Sequence, residues 1–534
     1  MYKVKYLRIS SIILFVSLLL NACKKDWVDT KPNGTPTVAF FWKTDQDVQN
    51  AVKAMYAPFA NESTWGRDLF WMQIAGDDLI VGRSNANANN IKNLIPSGRE
   101  GYMAQGWVDL YSMINMANQV IQGAPTATEA SDSIKNQALG EAYFIRGFAH
   151  FWVAYLWGSD KQGVPFDGPE NAEFGNRIPP QSATVMDDYM QIIQDLQKAA
   201  DLLPYFEQYS SGDYGRAHKV AAWGYMVKTY AYWAQYDASK WTLIPKLCDS
   251  IKNQGHRALI TGKGSGLANY QAVFKIENNW SSEYIWSVNS GVLGGSEFPG
   301  VVLENKGWGI YNGWGYFQPT EELYDAYEPN DPRRQATILS YGDKFTFFGE
   351  SRQYFSTNSL SGFQINKYME PYSYGSDGKS STNLMVNQNG DYPTTRLNLP
   401  LMRYAEILLF KAEAYLRMNQ PQLAAAPLNE VRERVGLKAI TSPDMDDLKH
   451  ERRCELACEW TDRFADLKRW GDFDKINAAQ HGRAYANKSD PNSSYKIYEV
   501  WPARSFDPNK DMVWPINPDE ILNSAGAYKQ NAGW

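Results

Sequence analysis

The sequence predicts a mainly helical fold, built of packed helix pairs, with a loop-rich part of minor β content. Three observations carry that expectation. Residues 401–437 read as two helices joined by a tight break. Apolar residues recur at helical spacing through much of 45–252. From about 261 to 399 that period fades, and Gly, Asn and Ser accumulate around short aromatic runs. The chain has 534 residues, 44% hydrophobic and 21% charged, which is ample for a large core. A formal net charge of -6 argues against a general nucleic-acid binder.

The N-terminus reads as an address. Lys3, Lys5 and Arg8 precede an apolar run from Ile12 to Leu20, too short to span a bilayer. Leu20-Asn21-Ala22-Cys23 then resembles a lipobox. Residues 1–22 are expected to be a lipoprotein signal peptide, and Cys23 the lipidated residue that ties the chain to a membrane surface. Residues 23–40 would be a polar tether, and 41–534 a single domain with parts at about 41–260, 261–399 and 400–534. Cys248, Cys454 and Cys458 are too few for a disulfide framework.

The elements follow in order. Residues 45–60 place Val48, Val52, Met55 and Tyr56 on one helical face. Residues 61–101 read as a surface loop, carrying Trp65, Arg67, Trp71, Asp77, Asp78, Arg83 and an Asn-rich run at 85–90. Helices are expected near 107–121, 131–157, 185–203, 219–233 and 241–252. The second is apolar nearly all round and therefore central, so its Arg146 needs a buried carboxylate. His150 reads as a packed helical histidine. Segments 270–274 and 283–288 have strand-like content.

Within the irregular part, Gly307-Trp308-Gly309-Ile310-Tyr311-Asn312-Gly313-Trp314-Gly315-Tyr316 stands out. It lacks the Lys and Ser/Thr of a phosphate loop. Either its Trp side chains pack inward at a Gly-rich turn, or they form an aromatic arc for pyranose faces, with Asn312 available to hydroxyls. The chain holds 19 Trp, 33 Tyr and 23 Phe, more aromatic surface than a core usually needs. The candidate ligand-binding residues are Trp308, Tyr311, Asn312, Trp314, Tyr316, Trp65, Arg67, Trp71 and Arg83.

The 401–437 pair places Ala412, Tyr415, Ala424 and Leu428 at the spacing of a tetratricopeptide repeat, with Lys411 where that repeat prefers Leu. Such a pair needs others to stack on. Residues 444–470 read as a helix rich in alternating Glu and Arg, which favours ion pairs. His450, Cys454 and Cys458 share its face, but a fourth ligand is missing, and buried cysteines commonly act as small hydrophobes. No metal and no cofactor are expected.

Several short motifs now add up. The lipobox is followed by Asp26-Trp27. Glu141 to Phe151, Gly163-Val164-Pro165, Tyr214-Gly215-Arg216-Ala217 and Asp331-Pro332-Arg333-Arg334 come next. Then come Arg403-Tyr404-Ala405-Glu406, Ala412-Glu413-Ala414, Asn429, Arg432, Arg434 and Gly436-Leu437. Glu451-Arg452-Arg453, Glu455-Leu456, Arg463-Phe464 and Asp466-Leu467 follow, and the chain closes on Trp514-Pro515-Ile516, Gln530-Asn531 and Gly533-Trp534. In this order the set resembles the SusD/RagB family of outer-membrane nutrient-binding lipoproteins. Cys454, Cys458 and Asn517 are local departures. The resemblance implies a scaffold of tetratricopeptide-like helix pairs, with loops and short strands on the opposite, ligand-facing side. It also implies a lipid-anchored protein facing outward from the outer membrane, which hands oligosaccharide to a SusC-like TonB-dependent transporter. The motifs are mostly scaffold and transfer no ligand site.

Three functions compete. A non-catalytic glycan binder would use stacking and hydroxyl hydrogen bonds. The same scaffold could take peptide or another nutrient. A glycosidase would need two carboxylates about 5–10 Å apart in a cleft. Asp77 and Asp78 are the only loop carboxylates considered, and adjacent residues rarely fit that geometry. Glu406, Glu413, Glu451 and Glu455 are expected to pair with Arg. With 5 His and no nucleophile motif, the chain is not expected to be an enzyme.

Overall fold

The computed structural model describes residues 41–168, 178–290, 298–302, 313–347, 349–355, 358–369, 384–386 and 393–534. Cys23, Trp308, Tyr311 and Asn312 lie outside them. Eight long helices, each packed on the next, form the scaffold. These are α1 (Asp45–Tyr56), α2 (Gly101–Gly123), α3 (Asp132–Trp157), α4 (Val185–Leu202), α5 (Lys219–Trp233), α6 (Ile244–Asn253), α7 (Tyr404–Arg417) and α8 (Pro421–Arg434). Between α6 and α7 the chain leaves the stack for some 150 residues and then rejoins it. The starts of α1 and α4 are fixed by matching capping boxes, Thr44 with Asp47 and Thr184 with Asp187.

Helix α3 is central, as its composition predicted. Its last twelve residues, from Arg146 to Trp157, are all buried. Arg146 meets the expected carboxylate in Asp195 of α4, through two hydrogen bonds of 2.7 Å. His150 is packed against Phe166, with ring centroids 4.8 Å apart.

The 401–437 pair starts later than its apolar period suggested. Leu399–Arg403 is a strand, β4, antiparallel to β2 (Tyr284–Val288). Gly224 of α5 lies over this sheet: a Cβ there would sit 2.5 Å from Ile285, so only glycine permits the approach. Pro421 opens α8 at its first turn, where a missing N–H costs nothing. Ala412, Ala424 and Leu428 are fully buried between the two helices. Lys411 faces outward to Asp249 of α6 at 2.6 Å, which explains a Lys where the repeat prefers Leu.

Three other expectations need correction. Residues 61–81 are not a surface loop. The turns Glu62–Gly66 and Asp68–Gln73 bury Trp65, Leu69, Phe70, Trp71 and Met72, because their apolar side chains outweigh the polar run that follows. Residues 266–274 are helical turns, not a strand. The 444–470 segment is two helices, α9 (Met445–Leu456) and α10 (Arg463–Trp470). Between them Cys458 and Asp462 take left-handed backbone, with φ of 64° and 56°. Cys454 and Cys458 therefore do not share a helix.

The β content is six two-stranded antiparallel ladders among the described residues. The pairing that positions the candidate site joins β1 (Leu79–Val81) to β3 (Phe317–Pro319).

Between scaffold and loops lie two buried ion clusters built from the expected Glu and Arg residues. Arg333 binds Asp331, Glu451 and Glu455. Arg403 binds Glu283, Glu455 and Glu459, and Arg434 binds Glu283 and Glu455. Arg452 bridges Glu406 to Asp466, and Arg469 bridges Asp466 to Glu413. Burial disfavours the charge on Glu455, but Arg434, Arg403 and Arg333 outweigh it and bring its carboxyl down to about 2.

Candidate functional site

The β1–β3 ladder brings together the two loop regions singled out by sequence. Val81 pairs with Phe317, and the Gly82 N–H donates to the Tyr316 carbonyl at 2.8 Å. A Cβ on Gly82 would fall 2.2 Å from the Gly315 carbonyl oxygen, so the close crossing requires glycine. Arg83 therefore leaves β1 directly beside Tyr316.

Three buried ionisable residues, Lys92, Asp77 and Asp78, hold this corner. Lys92 Nζ donates to the Gly76 and Leu79 carbonyls at 2.9 and 2.7 Å. Asp77 and Asp78 dock on α9 and α10. Arg463 grips Asp77 at 2.8 and 3.0 Å, and Arg453 reaches Asp78 at 2.7 Å. Burial opposes charge on Asp77, but Arg463 and Arg453 prevail and hold its carboxyl below the usual range. Both carboxylates are therefore structural anchors.

Four aromatic rings meet at the surface above this corner. Trp71, fully buried, forms the floor. Tyr102, in the first turn of α2, stacks on it with centroids 5.2 Å apart and planes 12° apart. Tyr316 lies 5.3 Å from Trp71, and Trp314 stands edge-on to Tyr316 at 5.2 Å. The Arg67 guanidinium is inserted among them, 4.8 Å from Trp314, 5.4 Å from Tyr102 and 5.8 Å from Tyr316. Glu62 and Asp68 hold it there, each at 2.7 Å. Burial pushes the Tyr102 hydroxyl up, so it stays protonated. An open cleft of about 380 Å³ is lined by Arg83, Ser84, Asn85, Ala86, Asn87, Tyr102 and Tyr316.

Of the residues expected from sequence, Arg83 and Tyr316 line the cleft, while Trp314 and Arg67 pack against Tyr316 without lining it. Trp65 and Trp71 do not line it. Trp65 is enclosed by Phe59, Phe148 and Trp152, so it is core, and Trp71 supports the site only from beneath. Asn85 and Asn87, which also line the cleft, fall within the Asn-rich run of the expected loop, but Tyr102 falls outside it. The expected loop ended at Gly101, one residue short of Tyr102. The Asn run at 85–90 was visible, but all of it after Asn85 folds into the short helix Ala86–Lys92.

Other cavities are less suited. One beside Asp78, Arg452 and Arg453 measures about 30 Å³, room for a water. A depression of about 490 Å³ is lined by Phe274, Phe345, Gln335 and Lys344, away from the residues expected from sequence. Glu328, His450 and Glu451 could together offer three metal-ligand atoms. Arg432 already spans Glu328 and Glu451 at 2.7 and 2.8 Å, so a guanidinium occupies the position a cation would take. Among the described residues no helix is long and apolar enough to cross a membrane.

Comparison with known proteins gives a consistent result. The SusD family model matches residues 272–534, and a model described as "Starch-binding associating with outer membrane" matches residues 26–231. A SusD-like protein of Formosa agariphila is 24% identical over 98% of this chain and 99% of its own length. A SusD-like protein of Bacteroides ovatus is 24% identical over 86% of this chain and 82% of its own. A crystal structure of a SusD-like protein from Bacteroides fragilis superposes with a TM-score of 0.77 at 23% identity, covering 92% of this chain and 98% of that one. Surface glycan-binding protein A from Bacteroides thetaiotaomicron, in complex with laminarihexaose, superposes with a TM-score of 0.69 at 22% identity, covering 92% and 100%.

Proposed function

The chain belongs to the SusD/RagB family, and from that premise we propose that it is an outer-membrane lipoprotein that binds glycan at the cell surface. Oligosaccharide or polysaccharide would bind in the cleft at residues 83–87, 102 and 314–316 and pass to a SusC-like TonB-dependent transporter for uptake. The anchor would be lipid on Cys23, after removal of residues 1–22. Residues 23–40 would be the tether and 41–534 the single binding domain.

One observation carries this reading. Segments far apart in sequence bring Tyr102 and Tyr316 to one cleft, beside amide and guanidinium donors, with Trp314 packed edge-on against Tyr316. Flat, weakly polar ring faces are what a pyranose stacks on, and the polar rim meets its hydroxyls. The laminarihexaose complex of a protein with the same fold supports a glycan as the ligand class. The reading involves no catalysis. Asp77 and Asp78, the loop carboxylates considered for catalysis, are both locked onto arginines.

The test is calorimetry of residues 24–534 against plant, host and microbial glycans, beside Tyr316→Ala and Tyr102→Ala. Stacking loss at either ring weakens binding by about 1–3 kcal/mol if base–aromatic stacking is the guide. Binding unchanged in both variants would move the site elsewhere. Binding of peptides alone would remove the glycan reading.

A further inference from the structure

The charge balance of the cleft specifies the ligand further. Seven residues line it, and none carries a carboxylate. A sugar's hydroxyl protons need acceptors, and without a carboxylate they fall to amide and hydroxyl oxygens. The acceptors present are already used in part. Asn85 Oδ1 accepts from the Ala88 N–H at 2.9 Å, and Ser84 Oγ accepts from Asn89 Nδ2 at 2.8 Å.

Donors dominate instead. Arg83 is exposed, and among the described residues no carboxylate lies within ion-pair distance of it. Its one ring contact is Tyr316, 6.0 Å from the guanidinium carbon. It differs in this from Arg67, whose charge is met by Glu62 and Asp68, and from the network arginines below. A guanidinium presents five N–H groups in a planar fork that fits two oxygens of one anionic group.

We propose that the cleft takes an acidic glycan, with Arg83 holding a ring carboxylate or sulfate ester while Tyr316 and Tyr102 carry the sugar face. This rests on the glycan reading above and narrows its ligand class. The two anionic groups share the chemistry of paired oxygens on a flat or tetrahedral centre, and experiment separates them.

The test is titration of residues 24–534 with three sets of oligosaccharides. One set is uronates (oligogalacturonide, alginate, glucuronan). One is sulfate esters (carrageenan, heparan sulfate). One is neutral (starch, laminarin, galactan). Each acidic binder is repeated as its neutral counterpart, methyl-esterified or desulfated, and at high salt. The proposal expects a uronate or a sulfated glycan to bind about 10-fold or more tighter than its neutralised form, as a charge-assisted pair allows. That preference should shrink at high salt. It should vanish in Arg83→Gln and survive in part in Arg83→Lys. Which set binds identifies the anion. Binding of neutral glycans that Tyr316→Ala abolishes and Arg83→Gln leaves unchanged overturns this proposal and keeps the glycan reading. Absence of binding across all three sets overturns both.

Discussion

Trp65 stacks on Phe59 with ring centroids 4.6 Å apart, whereas Trp314 and Tyr316 are only partly buried at the rim of the cleft. The same residue type therefore does two jobs. Trp65→Ala should cost about 3–5 kcal/mol in chemical denaturation, as cavity formation in a core does. Trp314→Ala should leave the denaturation midpoint nearly unchanged while weakening glycan binding. Sequence could not separate the two: Trp65 and Trp314 both sit among Gly, Asn and Ser, and burial depends on what the fold places above them. Protonation adds a second residue-scale test. Burial raises the Asp188 carboxyl to about 7, with Oδ2 accepting from the Val164 N–H and Oδ1 unmatched. The folded state thus favours the protonated form, and that contribution is complete below pH 3.8 and lost as pH rises through 7. Asp188→Asn should raise the melting temperature relative to wild type at pH 8 and leave it unchanged near pH 3.5. His150 and His218 act oppositely. Burial lowers each to about 3, so stability falls as pH drops from 6.5 toward 3.

At the scale of elements, the long helices were legible because their apolar period extends over many turns. The helices 185–202 and 219–233 fall where that period placed them. The short strands were not. β1 and β3 have three residues each, all buried, so neither shows the alternation that marks a strand. Yet this ladder assembles the site. Gly82→Val should force β1 from β3, because its Cβ has no space beside Gly315. The expected result is a loss of glycan binding larger than the change in melting temperature, since the long helices remain packed. Equal losses in both would mean that the ladder supports the core and not the cleft. The Leu399–Arg403 strand was hidden for a similar reason. Five consecutive buried residues look like the start of the helix that follows.

Across the whole molecule, several of the motifs that mark the family meet in two buried ion clusters. Arg403, Arg432, Arg434, Glu451 and Glu455 pair in one, and Glu406, Glu413, Arg452 and Asp466 pair in the other. The sequence announced that these residues would pair, but not with whom. Arg434 reaches Glu283 across 151 residues, and such partners are set only when the chain rejoins the stack at α7. Removing one charge strands the others. Glu455→Gln should destabilise by about 3–5 kcal/mol, whereas Arg99→Ala, which breaks an exposed pair with Asp519, should leave stability nearly unchanged. The Glu455 carboxyl is depressed from 4.5 to about 2, so its contribution is present above pH 4.5 and lost as pH falls through 2. These clusters also explain why family motifs alone do not reveal the ligand: they hold scaffold and loops together, while the cleft residues lie outside those motifs.

The most direct test of the account is a crystal structure of residues 24–534 with the oligosaccharide that calorimetry selects. The account predicts a sugar ring stacked on Tyr316 or Tyr102, within contact of Trp314, and with an anionic substituent against Arg83. A sugar seated away from these rings, for example in the depression beside Phe274 and Lys344, would contradict it.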